Sequence, residues 1–193
     1  MVAIIDVPGG VQTAAKAATK AGFPLSCDPG VGRLLGVLAA GVPPHGAILE
    51  LGTGAGVGLA WIVAGLAGRT DVRVLSVELD ADLGAVAARQ AWPDFVQLES
   101  GDALEVVRRP DRWDLIFADA PGGKWYGLDD TIDALLPGGV LLVDDMSPAE
   151  FVDDLHRTKT AEVRERLLTD ARLVAVAMDW STGIILCTRS QPG

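Results

Sequence analysis

The stretch Ile48-Leu49-Glu50-Leu51-Gly52-Thr53-Gly54-Ala55-Gly56-Val57-Gly58 decides how the rest of the chain is read. An apolar run, Ala47–Leu51, passes into glycines at alternate positions and then into a helical pattern near Val57–Ala67. A strand that ends in a glycine loop and feeds a helix is a ligand-binding unit of α/β sheets. Glycine accepts the tight turn and lets a ligand approach the backbone. The dinucleotide spacing G-x-G-x-x-G/A fails in every register, because its last position falls on Val57, Leu59 or Trp61. No Gly-Lys-Ser/Thr follows, so a Walker phosphate loop fails too.

Outward from this loop, short apolar runs alternate with helical patterns, the signature of an α/β fold. Further strands are predicted at Arg73–Val77, Phe95–Glu99, Trp113–Ala118 and Gly139–Val143, with helices at Ala81–Trp92, Ala103–Arg108 and Gly127–Leu135. Ser147, Pro148 and Glu150 read as the start of a last helix, a capping box with proline at the first position. That helix is expected to reach about Ala171, with a break near Thr158–Thr160. Leu173–Trp180 and Ile184–Thr188, joined by Ser181-Thr182-Gly183, then read as an antiparallel hairpin on one sheet edge. The total is a seven-stranded, mostly parallel sheet with helices on both faces. In front lie helices near Val11–Lys20 and Val31–Ala40. The organisation predicted is a single domain, with a short helical section at 1–46 and the core at 47–193.

A length of 193 residues suits one such domain. A hydrophobic content of 49% and a mean hydropathy of +0.31 fit strands buried on both sides. No apolar run reaches the roughly 20 residues of a membrane span, and no secretory signal is visible. A cytoplasmic location is the default expectation. The formal net charge of −10 would repel a phosphate backbone, which argues against nucleic acid as a partner. Cys27 and Cys187 lack metal-ligand spacing and read as buried core thiols. His45 and His156 are the only histidines, too few for a His-based zinc site. The nucleophile elbow G-x-S-x-G of a serine hydrolase is absent.

An acid two residues before G-x-G-x-G, here Glu50 before Gly52, Thr53, Gly54 and Gly56, resembles motif I of class I S-adenosylmethionine-dependent methyltransferases. The resemblance implies a Rossmann-like fold, with the glycines passing the methionine part of S-adenosylmethionine and the acid ordering the loop and the cofactor's ammonium. Glu78 ends the second strand about 20 residues past the glycines, where a carboxylate can accept both ribose hydroxyls. A strand-end acid facing water is the other reading. Asp102, in Ser100-Gly101-Asp102-Ala103, follows the third strand. By the resemblance it faces the adenine amino group; as a helix N-cap it has a purely structural use, and the two are compatible. The cofactor set expected is therefore Glu50, Gly52, Thr53, Gly54, Gly56, Glu78, Leu79, Gly101, Asp102, Ala103 and Asp119. These residues lie at carboxyl ends of strands, where ligands of open α/β sheets bind.

The fourth strand ends in Asp119 and the fifth in Asp144-Asp145. Neighbouring strand ends lie roughly 5 Å apart, so the carboxylates crowd one crevice, and a hard divalent cation would relieve the repulsion. From Pro29 to the terminal hairpin, the chain resembles the family of catechol and caffeoyl-coenzyme A O-methyltransferases. There a strand-four Asp and a strand-five Asp-Asn pair bind Mg2+ or Ca2+, the metal chelates two acceptor oxygens, and a lysine takes a proton. Carried over, Asp119, Asp144 and Asp145 are the ligands and Lys124, with Asp119, is the catalytic group. Two departures stand: Asp145 replaces the usual Asn, and Ala120-Pro121-Gly122-Gly123 pushes Lys124 further along. A Pro-Gly-Gly loop could equally send Lys124 to solvent, leaving solvated acids. Trp125, Tyr126 and Met146 would form an apolar wall for a planar phenolic or catecholic acceptor, or the first two only anchor the next helix. A homodimer is a further family expectation. The rivals are a metal-independent methyltransferase on another acceptor, an aminopropyltransferase, and a non-catalytic adenosylmethionine-binding module.

Overall fold

Strand β1 (Ala47–Leu51) is buried at all five of its positions, as a strand covered on both faces must be. The computed structural model describes residues 6–147 and 154–191. Before β1 come α1 (Gly9–Ala21) and α2 (Pro29–Ala40), joined by an extended strap at 23–28. After it follow α3 (Val57–Gly65), β2 (Arg73–Glu78), α4 (Ala81–Ala88), β3 (Val96–Ser100) and α5 (Ala103–Val107). Next are β4 (Trp113–Ala118), α6 (Pro121–Lys124), α7 (Leu128–Ala134) and β5 (Leu135–Val143). The chain closes with α8 (Asp154–Thr169), β6 (Leu173–Met178) and β7 (Ile184–Arg189).

The seven-stranded sheet runs β3-β2-β1-β4-β5-β7-β6. Strands β1 to β5 pair in parallel, while β7 runs antiparallel to both β5 and β6. This is the Rossmann-like architecture expected. The strand order reverses between β1 and β4, so the carboxyl ends of these two strands open a crevice.

Side-chain alternation builds a layer on each face. Leu49, Leu51, Val77, Ile116 and Leu141 pack with Val106, Ile132, Val163 and Leu167 from α5, α7 and α8. Ile48, Val74, Leu115, Phe117 and Leu142 pack with Val31, Leu35, Leu59 and Ile62 from α2 and α3. Each such buried side chain contributes roughly 1.5–3 kcal/mol relative to exposure. Helices α2 and α3 touch backbone to backbone, since a Cβ on Gly65 would stand 2.1 Å from the Gly36 carbonyl oxygen. Among the described residues, no helix is long and apolar enough to cross a membrane.

Several element ends differ from expectation. Strand β5 begins at Leu135 rather than Gly139, because Pro137-Gly138-Gly139 is absorbed as an irregularity in its pairing with β4. Helix α4 stops at Ala88; Trp92 folds back, its indole N–H donating to the Ala87 carbonyl at 2.9 Å. Helix α8 has no break at Thr158–Thr160: the Thr158 hydroxyl donates to the Asp154 carbonyl within the helix. Pro148 and Glu150 of the expected capping box lie outside the described residues. Helix α6 was not anticipated.

Candidate active site

The glycine loop after β1 is a backbone cradle. Gly52, Gly54 and Gly56 take φ values of 99°, 54° and 91°, which L side chains rarely adopt. At Gly52 a Cβ would also stand 2.7 Å from the Asp119 carbonyl oxygen. The amides of Gly52 and Thr53 both donate to the Val77 carbonyl, at 3.0 and 3.1 Å.

Glu50 is fully buried beneath this loop. Ser76 Oγ donates to Glu50 Oε2 at 2.5 Å and itself lies 2.5 Å from Thr53 Oγ1. Glu50 Oε1 has no hydrogen-bond partner among the described residues, and the side chain lines the crevice. Burial pushes the Glu50 carboxyl up to about 8, with Asp119 and Glu78 adding to the shift and the Ser76 hydroxyl opposing it. An orphaned buried carboxyl oxygen is costly until a donor arrives. The cofactor's ammonium is a donor whose positive charge favours the ionised form of this carboxyl, so the cradle fits that group.

At the next two strand ends both readings of each acid have substance. Glu78 accepts the Gly54 amide on Oε2 at 2.7 Å and the Asp80 amide on Oε1 at 3.0 Å, so it staples the loop while lining the crevice. Each oxygen keeps capacity for a further donor. Asp102 caps α5, accepting the Leu104 amide at 2.9 Å, and lines the same crevice. The Gly101 amide donates to the Glu78 carbonyl at 2.9 Å. Ala103 is buried and Leu79 is largely exposed; both line the crevice.

Beside the cradle, at the ends of β4 and β5, Asp119, Asp144 and Asp145 converge, each offering a carboxylate oxygen within 4.8 Å of the others. Lys124 is buried among them. Its Nζ lies 3.7 Å from both Asp119 Oδ1 and Asp145 Oδ2 and donates to the Asp144 carbonyl at 3.2 Å. The Pro-Gly-Gly stretch, which left Lys124 free to face solvent, instead drives it inward. Gly122 and Gly123 leave helical geometry inside α6, and a Cβ on Gly123 would stand 2.5 Å from Leu51 Cδ1. Burial holds the Asp119 carboxyl well above its ordinary range, against the pull of Lys124 and with Asp144 and Asp145 adding to the rise. Asp144 is pushed up to about 6, chiefly by burial, with the Thr182 hydroxyl opposing. Asp145 sits at φ 60°, a left-handed conformation that Asp and Asn tolerate better than most residues. The donor set is all hard oxygen with one lysine to offset it, which fits Mg2+ or Ca2+.

Cradle and acids share one cavity of about 1070 Å³. Its remaining walls were not foreseen: the strap through Phe23, Leu25 and Cys27, and the side chains of His156 and Thr182. The apolar Phe23-Pro24-Leu25 between two helices was the one visible signal for the strap. Of the expected aromatic wall only Trp125 lines the cavity, its ring 4.8 Å from His156 in a T-shaped contact. Tyr126 is half exposed beneath Lys159. Met146 is fully buried in the core, because it follows the β5 end into the layer built with α5, α7 and α8. Both cysteines are free, Cys187 in the core and Cys27 half-buried at the cavity wall.

The comparisons with known proteins agree with this geometry. The sequence pattern of a family described as a methyltransferase domain matches residues 49–146. A protein of Mycolicibacterium vanbaalenii named as a candidate O-methyltransferase is 31% identical over 176 residues, covering 84% of this chain and 76% of its own. Among solved structures, the O-methyltransferase TomG of Streptomyces achromogenes, in complex with SAM, aligns with a TM-score of 0.81 at 22% identity, covering 98% of this chain and 93% of that one. A candidate caffeoyl-CoA O-methyltransferase of Staphylococcus aureus aligns at 0.77 and 18% identity, over 95% of this chain and 93% of its own. At these identities the solved structures speak to fold alone.

Proposed function

The chain belongs to the methyltransferase-domain family, as a class I S-adenosylmethionine-dependent methyltransferase, and from that premise we propose that it methylates an oxygen of a small phenolic or catecholic acceptor with the help of Mg2+ or Ca2+. The observation that carries this reading is Lys124, buried between Asp119 and Asp145 in the same cavity as the glycine cradle.

Bound S-adenosylmethionine supplies an activated methyl group, and a bound divalent cation lowers the pKa of a coordinated hydroxyl. The protein's own residues supply the rest. The loop Gly52–Gly56 holds the methionine part, and Glu50 faces its ammonium. Glu78 takes the ribose hydroxyls, and Asp102 the adenine edge beside Leu79, Gly101 and Ala103. Asp119, Asp144 and Asp145 hold the cation. Lys124 Nζ, within reach of two of these acids, is the general base: its ammonium first releases a proton to solvent, and the resulting amine takes the acceptor's proton. Trp125 and the strap orient a planar ring and exclude water, so that the nucleophile meets the methyl in line.

The test is turnover of a phenol and catechol panel with S-adenosylmethionine, with and without EDTA. The expected result is O-methylated product that EDTA abolishes and Mg2+ restores. Turnover indifferent both to EDTA and to Asp145→Ala would overturn the metal-dependent reading. One observation favours that alternative: the Lys124 ammonium already offsets part of the acids' charge. The single-domain organisation, a cytoplasmic location and a homodimer belong to the same proposal, the last checked by sedimentation of the purified protein.

A further inference from the structure

The β6–β7 turn grips the cavity through consecutive residues. Ser181 donates its hydroxyl to Asp28 Oδ1. Asp28 ends the strap and also caps α2, accepting the Gly30 amide at 2.7 Å. The carbonyls of Gly183 and Thr182 accept the amides of Met146 and Ser147, at 2.8 and 3.1 Å, so the exit of β5 is paired to the turn. A Cβ on Gly183, at φ 75°, would stand 2.3 Å from the Ser147 amide nitrogen, so the close approach needs glycine. Between these anchors, the Thr182 hydroxyl donates to Asp144 Oδ1.

Asp144 Oδ1 also accepts the Asp145 amide at 2.7 Å. A carboxylate oxygen has two lone-pair sites, so these two donors occupy Oδ1 and leave Oδ2 as the oxygen of Asp144 with open sites. Both bonds also lock the carboxylate's rotation. We propose that Thr182 is a positioning residue, which fixes the Asp144 carboxylate in a one-oxygen orientation toward the divalent cation. This rests on the metal-dependent reading above. Nothing in the run Trp180-Ser181-Thr182-Gly183 marks it as a site; the assignment comes from a contact between residues 38 apart.

The test is Mn2+ binding to the full chain by titration calorimetry, for wild type, Thr182→Val, Thr182→Ser and Ser181→Ala, with S-adenosylhomocysteine affinity measured on each. Partners behind metal ligands typically govern affinity by about 10–100-fold, so Thr182→Val is expected to weaken Mn2+ by at least about 10-fold. Thr182→Ser, which keeps the hydroxyl, and Ser181→Ala, which cuts the same turn from Asp28, are expected within about twofold of wild type. S-adenosylhomocysteine should bind all of them alike. Unchanged Mn2+ affinity in Thr182→Val overturns the assignment. So does an equal loss in Ser181→Ala, which would mark turn integrity as the cause. Wild type that binds S-adenosylhomocysteine but no Mn2+ overturns the metal reading, and this assignment with it. Thr182→Ala repeats the comparison should the valine variant not fold.

Discussion

The two sides of the cavity are built by opposite means. The cradle side comes from the ends of β1, β2 and β3, close in sequence, and backbone amides hold it: Val77 takes the Gly52 and Thr53 amides, and Glu78 takes those of Gly54 and Asp80. The acid side gathers Asp119, Lys124, Asp144, Asp145 and Thr182 from distant parts of the chain, and side chains do most of the holding. One side is a preformed backbone mould over Glu50 Oε1, which has no hydrogen-bond partner among the described residues. The other is a knot of like charges around one lysine, and it gains most from a cation.

The largest expected effect breaks the acid side alone. Lys124→Met keeps the side chain's bulk and removes its amine. General-base contributions run to about 10²–10⁴-fold, so kcat is expected to fall at least about 100-fold. S-adenosylhomocysteine affinity, read by calorimetry, should stay nearly constant. A joint loss of both would mean that the two sides are not separable.

The cradle is broken by Gly52→Ala. Forcing a side chain onto φ 99° and against the Asp119 carbonyl costs roughly 1–3 kcal/mol. That corresponds to about 5–150-fold in S-adenosylhomocysteine affinity. An unchanged dissociation constant would show that the loop does not bear on the cofactor.

This contrast also governs what could be read in advance. Strands β1 and β4 match their predicted ends, because each is an apolar run between clear turn signals. The cradle is legible since its demand for positive φ is local and falls on glycines at alternate positions of one short loop. The acids were visible as residues, but the burial of Lys124 depends on how Gly122 and Gly123 settle against Leu51. The strap carries only the faint signal of Phe23-Pro24-Leu25, and His156 and Thr182 reach the cavity through tertiary closure, which no local pattern encodes. Pro137-Gly138-Gly139 misled for the opposite reason: a strong turn signal lies inside a strand that tolerates a register shift.

A smaller effect sharpens the comparison through pH. Unfolded Glu50 ionises near 4.5, whereas the folded carboxyl holds its proton to about 8. The folded state therefore binds more protons in that window, and stability of the cofactor-free protein falls as pH rises through it. One such group gives a slope of at most about 1.4 kcal/mol per pH unit. Asp144 adds to the slope only up to about 6, and the raised Asp119 carboxyl acts in the same direction. Urea midpoints from pH 5 to 8 should show the decline, and Glu50→Gln should flatten its upper part. A wild-type stability that rises with pH from 6 to 8 would contradict the burial of an ionisable Glu50. The smallest effect belongs to Tyr126→Ala. Half exposed and away from the cavity, it should leave acceptor KM within about twofold and stability within about 0.5 kcal/mol.

A crystal structure with S-adenosylhomocysteine and Mg2+ tests the division of the cavity most directly. The expected result is the ligand's ammonium facing Glu50 Oε1 and a metal peak ligated by Asp119, Asp144 and Asp145, with Lys124 beside it. A fully occupied ligand in the cradle, with the acids still closed on Lys124 and no metal peak, would contradict it.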